Sequence, residues 1–330
     1  MERPYGYMDT ELACRTISEI KELGLAEKVT FHVMGEPTLH KEFFKILDHA
    51  ASVGMPVGLT TNGGGLGRAV GRRLLDYPLH QVDVSLQTPD ARSFALRKAG
   101  GLKFDDYLAG ILNFFGQYHG RHRDTIFKFR FLNTRFPQKS IEAKNGPVRV
   151  ISSTEELRQV FGEWVKGIYQ AAGPGAPDLQ RALERIGKLN VYHWNVVEIM
   201  PKVFLETYIL SDWGHAFQEG KVLGAWAGYC DGMRDHFAVL HNGDLTLCCI
   251  DYEGKTALGN LHEQSLTDIL SGDELGRIVD GFKRFKPVHP YCKICLGSKN
   301  RLSWAVKPGL TIIGLHALRP YFYRQVKIYD

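Results

Sequence analysis

The plainest chemistry in this sequence belongs to its cysteines, and they are unevenly placed. Cys14 stands alone near the start, whereas Cys230, Cys248, Cys249, Cys292 and Cys295 all fall in the last third. Cys292-Lys-Ile-Cys295 is a C-x2-C knuckle, and Gly243-Asp-Leu-Thr-Leu-Cys248 is a turn ending in a second thiol downstream of Cys230. Such spacing aims thiolates at a shared ion, and Gly243 lets the chain reverse between two strands. Metal ligation by Cys230, Cys248, Cys292 and Cys295 is the expectation, with Cys249 an unassigned fifth. Four thiolates suit zinc and iron–sulfur chemistry alike, so spacing leaves the metal open. Cys14 follows a helix N-cap at Asp9 and lies among Ala13, Ile17 and Ile20 at helical spacing, where it reads as a small buried hydrophobe.

A second group of polar residues follows a series of apolar runs. Gly35-Glu36-Pro37 comes after Val29–Met34, and a carboxylate there accepts hydrogen bonds from a cationic amine. Thr60-Thr61-Asn62-Gly63 comes after 57–59, and Ser85-Leu86-Gln87-Thr88 after 82–84, with Arg97 on the next helix as a partner for a carboxylate. Arg130 and Asn133 follow 126–129. In parallel α/β proteins the strand ends that hand over to loops line the active site, so these residues are expected on one face.

The elements that must position them alternate in helical and extended character as far as about residue 215. Helices are expected over Asp9–Leu25, Lys41–Val53, Gly67–Leu75, Ala91–Leu96, Tyr107–Tyr118, Glu155–Gln170 and Asp178–Ile186. Strands, read as continuous apolar runs, are expected over Val29–Met34, Val57–Thr61, Val82–Leu86, Ile126–Leu132, Tyr192–Ile199 and Val203–Ile209. Residues 137–153, with Lys144-Asn145-Gly146-Pro147 between extended flanks, read as an inserted hairpin. The cysteines then sit in a separate small unit, with a hairpin over Phe237–Ile250 and a helix near Ser265–Ile269. Residues 301–330 form a terminal segment packed on the larger unit. The expected domains are 1–215, 222–300 and 301–330.

Composition narrows the classes. A formal charge of +5 spread over 330 residues does not mark a nucleic-acid binder. No run approaches the ~20 apolar residues of a membrane span, and Met1-Glu2-Arg3-Pro4 lacks the apolar centre of a signal peptide, so a cytoplasmic protein is expected. The glycines at 63, 64, 65 and 67 are not a dinucleotide fingerprint, because Arg68 stands where the third glycine is required, and no P-loop or nucleophile elbow occurs.

Phe31-His-Val-Met-Gly-Glu-Pro-Thr-Leu-His40, Thr60-Thr-Asn-Gly63 and Val84-Ser-Leu-Gln87 together resemble the core of radical S-adenosylmethionine (radical SAM) enzymes. Cys230, Gly243-x4-Cys248-Cys249-x-Asp251, Gly259-Asn260 and Cys292-x2-Cys295 resemble their SPASM/twitch auxiliary-cluster domain, in the family's order along the chain. The resemblance spans about residues 1–300. It implies an α/β fold, a partial (β/α)6 TIM-like barrel lacking its first strand, with a small cysteine-rich α+β domain behind it. Gly35, Glu36 and Pro37 would meet the methionine amino group of S-adenosyl-L-methionine. Ser85, Gln87 and Arg97 would serve its carboxylate or ribose, with Thr61 and Asn62 beside it. Cys230, Cys248, Cys292 and Cys295 would hold one auxiliary [4Fe-4S] cluster. The implied activity is a radical SAM oxidoreductase or modifying enzyme that uses a 5′-deoxyadenosyl radical to abstract hydrogen from a peptide or small molecule. Its partner would be a reductant such as a flavodoxin or ferredoxin.

One family element is missing from these residues: the C-x3-C-x2-C that holds the SAM-cleaving cluster. The expectation is that the natural protein starts upstream of Met1, that a second [4Fe-4S] cluster belongs to that full-length form, and that this chain alone does not cleave SAM. The alternative is a non-catalytic zinc or iron–sulfur binding or electron-transfer protein on a degenerate barrel.

Overall fold

The fold was obtained as a computed structural model, which describes residues 3–87, 90–95, 101–134, 139, 149–209, 221–230, 236–317 and 323–327. It is an α/β protein with one mostly parallel sheet and a small C-terminal unit. Helix α1 (Thr10–Glu22) starts where Asp9 accepts the Leu12 amide at 2.8 Å, and it buries Leu12, Ala13, Ile17 and Ile20. Cys14 on this helix is only half-buried.

Strands β1 (Val29–Phe31), β2 (Val57–Thr61), β3 (Gln81–Gln87) and β4 (Ile126–Asn133) are joined through α2 (Phe43–Ser52), α3 (Ala69–Leu74), α4 (Ala91–Ala95) and α5 (Phe104–Arg121). After β4 come α6 (Thr154–Ala172), α7 (Leu179–Ile186), β5 (Trp194–Met200) and β6 (Val203–Ile209). The sheet runs β1-β2-β3-β4-β6-β5. All neighbours are parallel except β5 and β6, which form an antiparallel hairpin. Two residues separate these strands, far fewer than a parallel crossover needs, so the chain must reverse there. Lys202, at φ +63°, makes the turn and gives its amide to Glu198 Oε1 at 3.0 Å.

β1 stops at Phe31, three residues short of the expected Met34. Val33 sits at φ +84°, a region that a β-branched side chain occupies only under strain, and this ends the extended run. Of the hairpin expected over 137–153, residues 137–138 and 140–148 lie outside the described residues. Beyond it, Ile151 bridges Asn133 in parallel and accepts the Thr134 amide at 2.8 Å, a pairing unlike the antiparallel return of a hairpin.

The two faces of the sheet differ. Leu59, Val82, Val84, Phe127, Phe129 and Leu205 share the outer face and are buried under the helices. Phe127 meets Phe115 of α5 edge-on at 5.0 Å, and Phe129 lies 5.6 Å from Trp164 of α6. The inner face carries Gln81, Asp83, Ser85, Lys128, Arg130, Glu206 and Tyr208. β3 and the middle of β4 are therefore not the continuous apolar runs expected but alternate polar with apolar, as strands with one polar face must, whereas β6 opens on the apolar run Val203-Phe204-Leu205.

The small unit is built on an antiparallel sheet of β7 (Ala238–Val239), β8 (Asp244–Thr246) and β9 (Ala257–Asn260). Gly243 makes its tight turn at φ +90°, with no room for a Cβ between Asn260 and His262. Helices α8 (Leu266–Leu270), α9 (Asp273–Lys283), α10 (Pro290–Cys295) and α11 (Arg301–Thr311) follow. Leu245, Leu261, Leu266 and Ile269 belong to the same apolar core as the large unit. β10 (Tyr323–Lys327) then pairs in parallel with β5 as a seventh strand, which no sequence pattern had suggested.

Candidate functional site

Glu36 occupies the loop after β1 and caps the short turn Pro37–Leu39. Its Oε1 accepts three hydrogen bonds: from the Thr38 amide at 3.2 Å, the Thr38 hydroxyl at 2.5 Å and the Thr61 hydroxyl at 2.8 Å. Its Oε2 accepts the Asn62 amide at 2.6 Å. A carboxylate oxygen has about two lone-pair directions, so Oε1 is filled while Oε2 keeps room for a further donor. The knot continues outward. Thr61 Oγ1 accepts the Gly63 amide, Asn62 Oδ1 accepts the Gly64 amide, and the Asn62 carbonyl accepts the Tyr107 hydroxyl. Gly63, at φ +81°, lies so close to Ile111 that a Cβ there would stand 2.8 Å from its Cδ1. The ends of β1 and β2 are thus fastened together and onto α5, with Gly35 exposed at the rim.

The structure brings Glu36, Thr61 and Asn62 into one bonded group. Ser85 and Gln87 lie on the adjacent strand β3, Gln87 at its last position with φ +60°, where the pairing with β4 shifts register. Backbone strain after β1 and at the end of β3, on Val33 and Gln87, falls where the strands hand over to the site. Arg97 and Thr88 lie outside the described residues.

Sequence reasoning missed the middle of the inner face. Asp83 and Glu206 are almost fully buried and grip Arg130 from both sides, Nη1 at 3.1 Å from Asp83 Oδ2 and Nε at 3.2 Å from Glu206 Oε2. The Gln81 amide donates to both Asp83 oxygens at 2.9 and 2.8 Å, and Lys28 Nζ donates to Gln81 Oε1 at 2.8 Å. The guanidinium also lies over the Tyr208 ring, 5.3 Å from its centre. Burial alone would lower the Arg130 pKa; Asp83, Tyr208 and Glu206 outweigh it and hold the side chain cationic. Arg130 and Asn133 both lie within β4, which runs one residue beyond the strand expected over Ile126–Leu132. The signal was present in the alternation of Gln81, Asp83 and Ser85 with valine and leucine, and of Lys128 and Arg130 with phenylalanine.

None of the cysteines is in a disulfide. Burial pushes the Cys292 thiol up to about 12, and Cys230, Cys248 and Cys295 all add to the effect, so four thiols from three stretches of chain lie within electrostatic reach of one another. Burial also raises Cys248. A cationic iron–sulfur core would relieve both the desolvation and the mutual repulsion of the thiolates, and the donor set is the four thiols such a core takes. These residues fit the group. Cys249 lies with Sγ 3.6 Å from His236 Nε2; burial raises its thiol too, and Cys248 and Cys230 add to the effect. Among the described residues, no three His, Cys, Asp or Glu side chains form a group that could hold a single metal ion.

Similar folds occur among solved structures. BtrN in complex with AdoMet and 2-DOIA is 14% identical, with a TM-score of 0.44, covering 90% of this chain and 82% of BtrN. SuiB of Streptococcus suis bound to S-adenosylmethionine is 15% identical, with a TM-score of 0.48, covering 89% and 67%. anSMEcpe with bound AdoMet is 13% identical, with a TM-score of 0.47, covering 97% and 87%. No curated protein matches the chain. Two family descriptions match it directly: the radical SAM superfamily over residues 1–126, which include the Glu36 knot, and the SPASM iron–sulfur cluster-binding domain over residues 230–296, which include all four thiols. The two matches fall in the order that the motifs predict: a radical SAM domain over residues 1–126, then a SPASM iron–sulfur cluster-binding domain over residues 230–296.

Proposed function

We propose that this chain belongs to a radical SAM oxidoreductase or modifying enzyme acting on a peptide or small molecule, and that its SPASM-type unit carries one auxiliary [4Fe-4S] cluster on Cys230, Cys248, Cys292 and Cys295. The observation that carries this is the match of an iron–sulfur domain to residues 230–296, the stretch that contains Cys230, Cys248, Cys292 and Cys295. In this assignment residues 1–215 bind SAM and substrate, 222–300 hold the cluster, and 301–330 form an extension that returns to the sheet.

SAM, with a reducing cluster, supplies a 5′-deoxyadenosyl radical for hydrogen abstraction. The 330 residues contain no C-x3-C-x2-C to hold that reducing cluster, and no step through it is ascribed to them. The protein's own residues do the following. Glu36 fixes the loops 35–37 and 61–63 against each other, and its Oε2 is left to accept from the methionine ammonium. Ser85 and Gln87 offer hydroxyl and amide groups one strand over, for the carboxylate or ribose. Arg130, clamped by Asp83 and Glu206, keeps one guanidinium nitrogen for a polar group of the substrate and is held in place before anything binds. Cys230, Cys248, Cys292 and Cys295 would hold the auxiliary cluster, which when bound would supply electron transfer or a substrate contact, tuned by burial and thiolate ligation.

Isothermal titration of the anaerobically reconstituted chain with SAM tests the assignment of the first unit. Saturable binding at one site per chain is expected. No heat of binding, with cluster content normal, would overturn it.

A further inference from the structure

Helix α11 presents an apolar stripe to solvent. Leu302, Val306, Leu310 and Ile313 recur at helical spacing, on one side of the helix and the turn that continues it, and are 77%, 48%, 64% and 55% exposed. The helix is not loosely attached. Lys307 Nζ donates to the Gly297 carbonyl at 2.8 Å, Trp304 Nε1 to the Gly224 carbonyl at 2.8 Å, and Trp226 Nε1 to the Trp304 carbonyl at 3.1 Å, while Pro308 is buried. A pinned helix with four large aliphatic side chains facing water marks a surface that is covered by something else.

Two observations say what covers it. The first is charge: residues 281–329 contain no Asp or Glu and ten Lys and Arg, so this segment accounts for the basic excess of the whole chain and the remainder is net acidic. Lys293, Lys299 and Arg301 are exposed around the start of the helix. The second is position: Gly297, which anchors Lys307, lies two residues after Cys295, so the helix that carries the stripe is fastened to the stretch that follows the Cys292–Cys295 turn.

We propose that the α11 face is the docking surface for a small acidic electron-transfer protein, with the apolar stripe as the centre of the contact and the lysines and arginine as its rim. This rests on the cysteine unit holding a redox cluster. The carrier would give up one electron there and this protein gain it. An acidic partner complements the rim, steering encounter and register. A second copy of this chain would set like charges against each other. A lipid surface is the poorer match, because the indoles of Trp226 and Trp304, though exposed, have their N–H groups bonded to backbone carbonyls and do not belong to the stripe, where an interfacial helix places them.

The test titrates the full, reconstituted 330-residue chain with flavodoxin and with ferredoxin as acidic probes at low and moderate salt. It compares wild type with Lys299→Glu/Arg301→Glu and with Val306→Asp/Leu310→Asp, and measures iron content and circular dichroism in parallel. The expected result is binding of at least one probe that weakens with salt, and falls about tenfold or more in each double variant, with iron and fold unchanged. Binding by neither probe at low salt, or equal binding by both variants, would overturn the proposal. So would stripe-dependent binding to phosphatidylserine vesicles without carrier binding, or a dimer in sedimentation that the stripe variant dissolves. A chain that binds carriers through this face yet takes up no iron would contradict the cluster assignment and leave the docking surface standing.

Discussion

Glu36 and Arg130 are both charged side chains fastened by neighbours, and they differ in how visible they were beforehand. Glu36 could be found because it stands between a glycine and a proline just past an apolar run, where a loop must begin. Asp83 and Glu206 could not, because a single acid inside a strand pattern looks the same whether it faces water or another charge. Replacing Arg130 by Met leaves two buried carboxylates facing each other without their cation. Urea denaturation should record a loss of about 3–5 kcal/mol, with Asp83→Asn/Arg130→Met less destabilised than Arg130→Met alone. Glu36→Gln keeps the shape of the knot but sets an amide NH2 against donors on one side. SAM affinity should fall about tenfold or more, from the loss of charge-assisted hydrogen bonds. Unchanged affinity would mean that Glu36 serves only to hold the strand ends together.

At the scale of elements, periodicity located strands and helices well wherever one face is apolar. The strands at 57–61 and 203–209 lie where the pattern put them. What it could not convey was strain, as at Val33, or partnership, as at β10, whose place beside β5 depends on a sheet edge assembled far earlier in the chain. Packing between helices was equally hidden. α5 and α6 approach so closely at Gly116 that a Cβ there would lie 2.4 Å from the Ala171 carbonyl, whereas Gly120, one turn on, has open space. Gly116→Ala should therefore cost about 1–3 kcal/mol by forcing the helices apart. Gly120→Ala should be neutral or stabilising by up to about 1 kcal/mol through helix propensity. Thermal unfolding of the two variants side by side checks this, and equal effects would refute the close approach.

For the whole molecule, the order of the units was legible from motif order, but their attachment was not. Helix α1 ties them. Arg15 Nη2 donates to the Leu261 carbonyl, Glu19 Oε2 accepts the Leu266 amide at 3.0 Å, and Arg3 Nε donates to the Tyr252 carbonyl at 2.8 Å. Glu19→Ala should speed hydrogen exchange at the Leu266 amide and the start of α8 while leaving β2 and β3 unchanged, since local opening follows the loss of local bonds. Among the described residues no helix is long and apolar enough to cross a membrane. The central claim is that four cysteines from three separate stretches hold one iron–sulfur cluster, and anaerobic iron, sulfide and zinc analysis of the reconstituted chain tests it most directly. About four irons and four sulfides per chain are expected, lost in Cys292→Ser and retained in Cys249→Ser. Zinc in place of iron, or iron indifferent to Cys292→Ser, would contradict it.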